Sequence, residues 1–63
     1  MSKKKKPNFN FLHYVDDDHN IVYVESRGWA STLAATKQVE QYYPDHKINI
    51  VKQEFIEDLN GND

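Results

Sequence analysis

The chain has 63 residues and a formal net charge of −2, and a chain of this length allows one small domain with a limited core. It contains no cysteine, which excludes disulfide bonds and thiolate metal sites. No apolar run approaches the roughly 20 residues that a membrane span needs. The apolar residues after the basic start are interrupted by Asn8, Asn10 and His13, unlike those of a signal peptide. We therefore expect a cytoplasmic protein without a membrane span.

The charged residues divide the chain into a basic arm and an acidic body. The first eight residues are predicted to be a flexible arm, with a charge of +4 from four consecutive lysines, Lys3, Lys4, Lys5 and Lys6. The rest of the chain has ten acidic against four basic side chains, a net charge of −6. Because an acidic body is repelled by phosphates, it favours a protein partner. The arm has two open interpretations, a salt-sensitive contact with a partner or a tail that only solubilises the protein.

Two strands joined by a turn are predicted at the start of the domain. Residues 9–15 alternate and carry apolar side chains on both faces, which favours a strand in the middle of the sheet. Residues 16–20 are typical of a turn. Residues 21–25 form a second strand that completes a hairpin.

One helix is predicted, over residues 31–43. Ser31 or Thr32 can cap its first turn, and Pro44 ends it. Its core-facing side chains recur at three- and four-residue spacing: Thr32, Ala35, Thr36, Val39, Tyr42 and Tyr43. A helix of this length is not stable alone, so it requires a sheet to pack on.

A third strand is predicted over residues 47–53, extendable to Phe55 and Ile56, followed by an acidic flexible tail over residues 57–63. This element order predicts one α+β domain over residues 9–56. A ββαβ chain would form an antiparallel or mixed three-stranded sheet with one helix packed on one face. We expect the first strand between the other two, and the opposite sheet face open to water or to a partner.

No catalytic or metal chemistry is predicted. Asp16, Asp17 and Asp18 are consecutive and lack the glycine of a calcium loop, so a solvated hairpin turn is favoured over a metal site. The three histidines lack zinc-ligand spacing, and no motif activates a hydroxyl group. We expect no cofactor, no bound metal and no enzymatic activity.

The run from Trp29 to Lys52, with an Ala-rich helix that ends at Tyr43 and Pro44 before a final strand, resembles small phage-encoded proteins. Their best-known family is the inhibitor of bacterial RNA polymerase made by T7-like phages. The resemblance covers residues 9–54 and implies a strand-strand-helix-strand fold that binds the polymerase. It implies a basic contact at Lys52, whereas Glu54 departs from the second basic position of the pattern. Acidic surface would come from residues 16–18 and Glu25.

The leading hypothesis is a non-enzymatic module that binds and modulates a host bacterial enzyme, such as RNA polymerase, in the host cytoplasm. One alternative is a nucleic-acid-associated protein that uses the lysine arm and aromatic residues of the sheet. Another is a small virion or assembly component. The predicted partner-binding residues are Asp16, Asp17, Asp18, Glu25, Lys52, Tyr14 and Tyr23.

Overall fold

The computed structural model describes residues 9–60 and shows an α+β fold with a three-stranded mixed sheet. Its elements are β1 (His13–Asp16), β2 (Ile21–Glu25), α1 (Trp29–Tyr42), β3 (Lys47–Val51) and α2 (Gln53–Asn60). The predicted fold class and the order of the first four elements are confirmed. The predicted basic arm and the last three residues lie outside the described residues.

The predicted hairpin is confirmed. β1 and β2 pair antiparallel, with Val15 opposite Val22 and Asp16 opposite Ile21. The turn between them ends at Asn20, whose φ of 57° lies in the left-handed region that asparagine tolerates better than most residues. The turn is closed by a hydrogen bond from the His19 backbone N–H to an Asp16 carboxylate oxygen, at 3.3 Å.

The predicted strand order was wrong, because β2 and not β1 lies in the middle of the sheet. β2 pairs antiparallel with β1 and parallel with β3. β1 is also shorter than predicted, since the chain before His13 leaves the sheet and the rings of Phe9 and Phe11 stack on each other with centroids 4.6 Å apart. Of the apolar residues that suggested a central strand, Phe9 and Phe11 therefore belong to this stacked segment, whereas Tyr14 and Val15 lie in β1.

The first layer of the core lies between the sheet and α1. Val22 and Val24 point from β2 toward Ala35 and Val39 of α1, and Phe11 completes the cluster. The helix begins at Trp29 after the N-cap residue Gly28, earlier than predicted, and has no side-chain cap. The predicted cap was wrong because Thr32 lies inside the first turn, where its hydroxyl oxygen accepts a hydrogen bond from the Arg27 backbone N–H at 3.0 Å.

The second layer of the core lies between the sheet and α2, a helix that was not predicted. Ile56 is fully buried, and α2 lies against β1 and β2 on the sheet face opposite α1. The predicted strand extension through Phe55 and Ile56 was therefore wrong, and residues 57–60, predicted to be part of a flexible tail, belong to α2. Phe55, Ile56 and Leu59 have helical spacing, and Glu54 in the first turn favours the N-terminal end of a helix.

α1 thus packs on one face of the sheet, and α2 packs on β1 and β2 of the other face. The expectation of a sheet face open to a partner is corrected by this second helix. Within residues 9–60, neither helix is long and apolar enough to cross a bilayer.

Candidate protein-binding surface

The charged residues predicted to bind a partner lie at opposite ends of the sheet. Asp16, Asp17 and Asp18 are in or next to the turn between β1 and β2, whereas Glu25 and Lys52 are at the other end, where β2 and β3 finish. The two groups lie at the two ends of β2, which is five residues long and spans roughly 13 Å at the usual rise of a strand. The structure therefore does not bring these residues together.

Glu25 has a structural role at its end of the sheet. Its carboxylate accepts a hydrogen bond from the Leu12 backbone N–H at 2.6 Å, and its own N–H donates to the Leu12 carbonyl at 3.0 Å. These two bonds extend the contact between the first two strands by one residue. The carboxylate is consequently engaged within the fold.

Tyr14 and Tyr23 form a cross-strand pair on the α2 side of the sheet. The two residues are directly opposite each other, with ring centroids 6.3 Å apart. The Tyr23 ring also meets the Phe55 ring edge-to-face at 5.3 Å. Since α2 contributes to this aromatic cluster, the two tyrosines are not the exposed stacking platform that binding of nucleic acid bases would use.

Two histidine–aspartate contacts stabilise the turns at the end of the sheet opposite Glu25 and Lys52. His19 Nδ1 lies 3.0 Å from Asp16 Oδ2, and this hydrogen bond lowers the pKa of Asp16 below its ordinary value. His46 Nε2 lies 3.2 Å from Asp17 Oδ1. Each contact joins one imidazole to one carboxylate, and residues 9–60 contain no group of three side chains that could hold a metal ion.

Two exposed apolar side chains, which sequence reasoning missed, lie on one flank of α1. Trp29 is 80% exposed and Leu33 is 45% exposed. Because successive residues of a helix are 100° apart, Trp29, Leu33, Thr36 and Glu40 share one stripe, about a quarter-turn from the buried Ala35 and Val39. The four-residue spacing of Trp29 and Leu33 outside the core stripe was the available signal.

A groove runs beside this stripe, between α1 and β3. It has a volume of about 540 Å³ and is lined by Thr36, Glu40, Pro44, His46, Ile48 and Ile50. Thr36 and Glu40 belong to both the stripe and the groove. Ile50 is 39% exposed although it points to the α1 side of the sheet. We call the stripe and the groove together the α1–β3 surface.

The outer edge of β3 borders this surface. Lys47 donates its backbone N–H to the Asn20 carbonyl at 2.8 Å, and the Val51 carbonyl accepts from the Ser26 N–H at 2.7 Å. Because strand residues alternate in the direction of their backbone groups, Ile48 and Ile50 turn their N–H and C=O groups away from β2. In the described part of the chain, β2 is the one strand that pairs with β3.

Comparison of the chain with protein-family models, with curated proteins and with solved structures found no match.

Proposed function

We propose that this protein is a non-enzymatic binding module that takes up an extended strand of a partner protein at the α1–β3 surface. The observation that carries the proposal is the 80% exposure of Trp29, one helical turn from the exposed Leu33, on the stripe that borders the groove containing the exposed Ile50. Exposed apolar patches mark interaction sites, and tryptophan is enriched among the residues that supply most of the binding energy at protein interfaces.

The outer edge of β3, which pairs with no other strand within residues 9–60, explains why the partner segment would be extended. An added strand would hydrogen-bond to the outward N–H and C=O groups of Ile48 and Ile50, as in other cases of strand addition. Its alternate side chains would enter the groove between α1 and β3. Backbone bonds would contribute affinity, and the groove would select apolar side chains.

The charge of the chain favours a protein partner over nucleic acid. Ten acidic side chains oppose four basic ones in residues 7–63, so phosphates are repelled from most of the surface. The resemblance to small phage-encoded proteins extends the proposal to modulation of a host bacterial enzyme in the host cytoplasm. RNA polymerase is the first named partner to test.

The test is capture of partners by the immobilised full-length protein. Purified bacterial RNA polymerase, a bacterial lysate and duplex DNA are each passed over wild type, Trp29→Ala and Gln41→Ala. Gln41 is an exposed α1 residue away from the stripe, so its substitution is the matched control. We expect a protein that wild type and Gln41→Ala retain and Trp29→Ala loses. Equal retention by all three variants, or retention of DNA alone, would contradict the proposal.

A further inference from the structure

We propose that the strand bound at the α1–β3 surface in the isolated protein is β3 of a second copy, which makes the protein a two-fold symmetric dimer. This inference rests on the proposed function, since it names an occupant of the same surface. Antiparallel pairing of the two β3 strands would join two three-stranded sheets into one sheet of six strands.

The outward-facing backbone groups of β3 select one register for this pairing. In an antiparallel pair, residues that face each other with outward N–H and C=O groups exchange two hydrogen bonds. Ile48 opposite Ile50 of the second copy, and the reverse, uses all four outward residues of the two strands. The two-fold axis then passes beside Asn49. A register shifted toward the start of β3 would need the backbone N–H of His46, which already donates to the Tyr43 carbonyl at 3.2 Å.

The same two-fold axis would bring the apolar side chains of one copy into contact with those of the other. α1 joins two parallel strands and so runs opposite to β3, which places Trp29 near the end of β3 and Glu40 near its start. The two-fold axis exchanges these ends. Trp29 of one copy therefore faces the part of the groove lined by Pro44 and Ile48 in the other copy.

One molecule thus carries both an exposed tryptophan and a groove that is apolar at Pro44, Ile48 and Ile50, on opposite sides of the axis. That is the self-complementarity that a two-fold interface requires. A tryptophan side chain contributes roughly 150–250 Å² when buried, and two copies of Trp29 would be buried at once. The remaining apolar area would come from Leu33 and Ile50, together with the paired strands.

The charges at the two ends of β3 are also complementary. In the register centred on Asn49, Lys52 lies opposite His46 of the second copy and one residue from its Asp45. Lys52 of one strand therefore lies near Asp45, the one carboxylate in the turn before the other strand, twice in the dimer. Opposite charges at the rim of an interface favour the correct partner and orientation.

The first test is the molar mass of the full-length protein in solution, measured by sedimentation and light scattering from micromolar to millimolar concentration. We expect the mass to rise from 7.4 kDa toward twice that value. Trp29→Ala should remain monomeric, and Gln41→Ala should dimerise like wild type.

Ile50→Pro tests the proposed backbone pairing most directly among these variants. Proline removes an N–H that points away from β2, so β3 can stay in its own sheet while the outer edge loses a donor. Ile50→Ala removes the side chain and keeps that N–H. We expect Ile50→Pro to be monomeric and to weaken the dimer more than Ile50→Ala does. A wild-type protein that stays monomeric throughout, or a dimer that neither Ile50→Pro nor Trp29→Ala weakens, would overturn the inference.

The second test probes the register through a cysteine, in a chain that has none of its own. Two Asn49 residues facing each other across the axis form a non-hydrogen-bonded pair with Cα atoms about 4.5 Å apart, a separation that a disulfide spans. Asn49→Cys should therefore form a covalent dimer under mild oxidation, much faster than Gln41→Cys. Equal rates for the two variants would contradict the register.

These outcomes are distinguishable from those that test the proposed function. A monomeric protein whose retention of RNA polymerase is lost in Trp29→Ala would overturn the second-copy inference and leave the proposed function standing. Retention of a partner that does not depend on Trp29, with a dimer still sensitive to Ile50→Pro, would overturn the proposed function and leave the dimer standing.

Discussion

His46 Nε2 lies 3.2 Å from Asp17 Oδ1, and this contact joins the turn before β3 to the turn between β1 and β2. The His46 side chain is only 16% exposed and meets the Tyr43 ring edge-to-face at 5.3 Å. The contact therefore links the end of α1, the start of β3 and the hairpin. It holds one end of the groove that forms part of the α1–β3 surface.

The first prediction is that this contact gives Asp17 a stabilising role that Asp18 lacks. Asp17→Ala should lower the free energy of unfolding by up to about 1 kcal/mol, because one partner of the pair is exposed to solvent. Asp18→Ala, an exposed change in the same turn, is the control and should have little effect. Urea unfolding measures both variants. Equal losses in the two variants would show that the contact contributes nothing specific.

The second prediction concerns stability in acid. The hydrogen bond from His19 lowers the folded-state pKa of Asp16 below its ordinary value of 3.8. A carboxyl group with a depressed pKa stabilises the fold above its unfolded-state pKa, and this stability is lost as the pH falls through the folded-state pKa. Asp16→Asn should therefore flatten the acid limb of the stability–pH profile, whereas Asp18→Asn should leave it unchanged. Parallel acid limbs for wild type and Asp16→Asn would contradict this assignment.

The third prediction tests the face of α1 that meets the sheet. Val39 is fully buried, so Val39→Asp places a charge without a partner in the core of a marginally stable domain. We expect this variant to be unfolded at room temperature by circular dichroism. Gln38→Asp changes an exposed neighbour and should melt close to wild type. A cooperative melt of Val39→Asp at the wild-type midpoint would contradict the core described above.

The fourth prediction tests whether α2 belongs to the folded unit. Ile56 is fully buried against the sheet, so Ile56→Ala should lower the free energy of unfolding by about 2–5 kcal/mol. Glu57→Ala, at the next and exposed position, should change it by about 0.5 kcal/mol or less. Chemical denaturation compares the two. An unchanged midpoint in Ile56→Ala would mean that α2 does not stabilise the domain.

Periodicity in the sequence predicted the elements that bury an alternating or helical stripe. Val22 and Val24 indicated β2, Ala35 and Val39 indicated α1, and the acidic run indicated the turn. The strand order was not predictable from polarity alone, since β1 lies at the edge of the sheet but still carries apolar side chains on both faces, Val15 toward α1 and Tyr14 toward α2. Short apolar runs such as Phe55 and Ile56 fit a strand or a helix equally well.

The candidate surface was harder to predict because it depends on tertiary placement. Trp29 and Leu33 gave a four-residue spacing, but their exposure follows from how α1 is rotated on the sheet. The outward backbone groups of Ile48 and Ile50 follow from the pairing of β3 with β2. The charged residues were predicted to bind a partner because of their charge and not because of their position. The structure places them at two opposite ends of the sheet.

The most direct test of strand addition at the α1–β3 surface is residue-resolved amide hydrogen exchange across β3. In dilute protein, the Ile48 and Ile50 amides should exchange quickly while the Asn49 amide, which points toward β2, is protected. At high concentration or with a bound partner, the Ile48 and Ile50 amides should become protected, and Trp29→Ala should abolish this change. Ile48 and Ile50 amides that exchange equally fast under all conditions, while the protein demonstrably binds, would contradict strand addition at this surface.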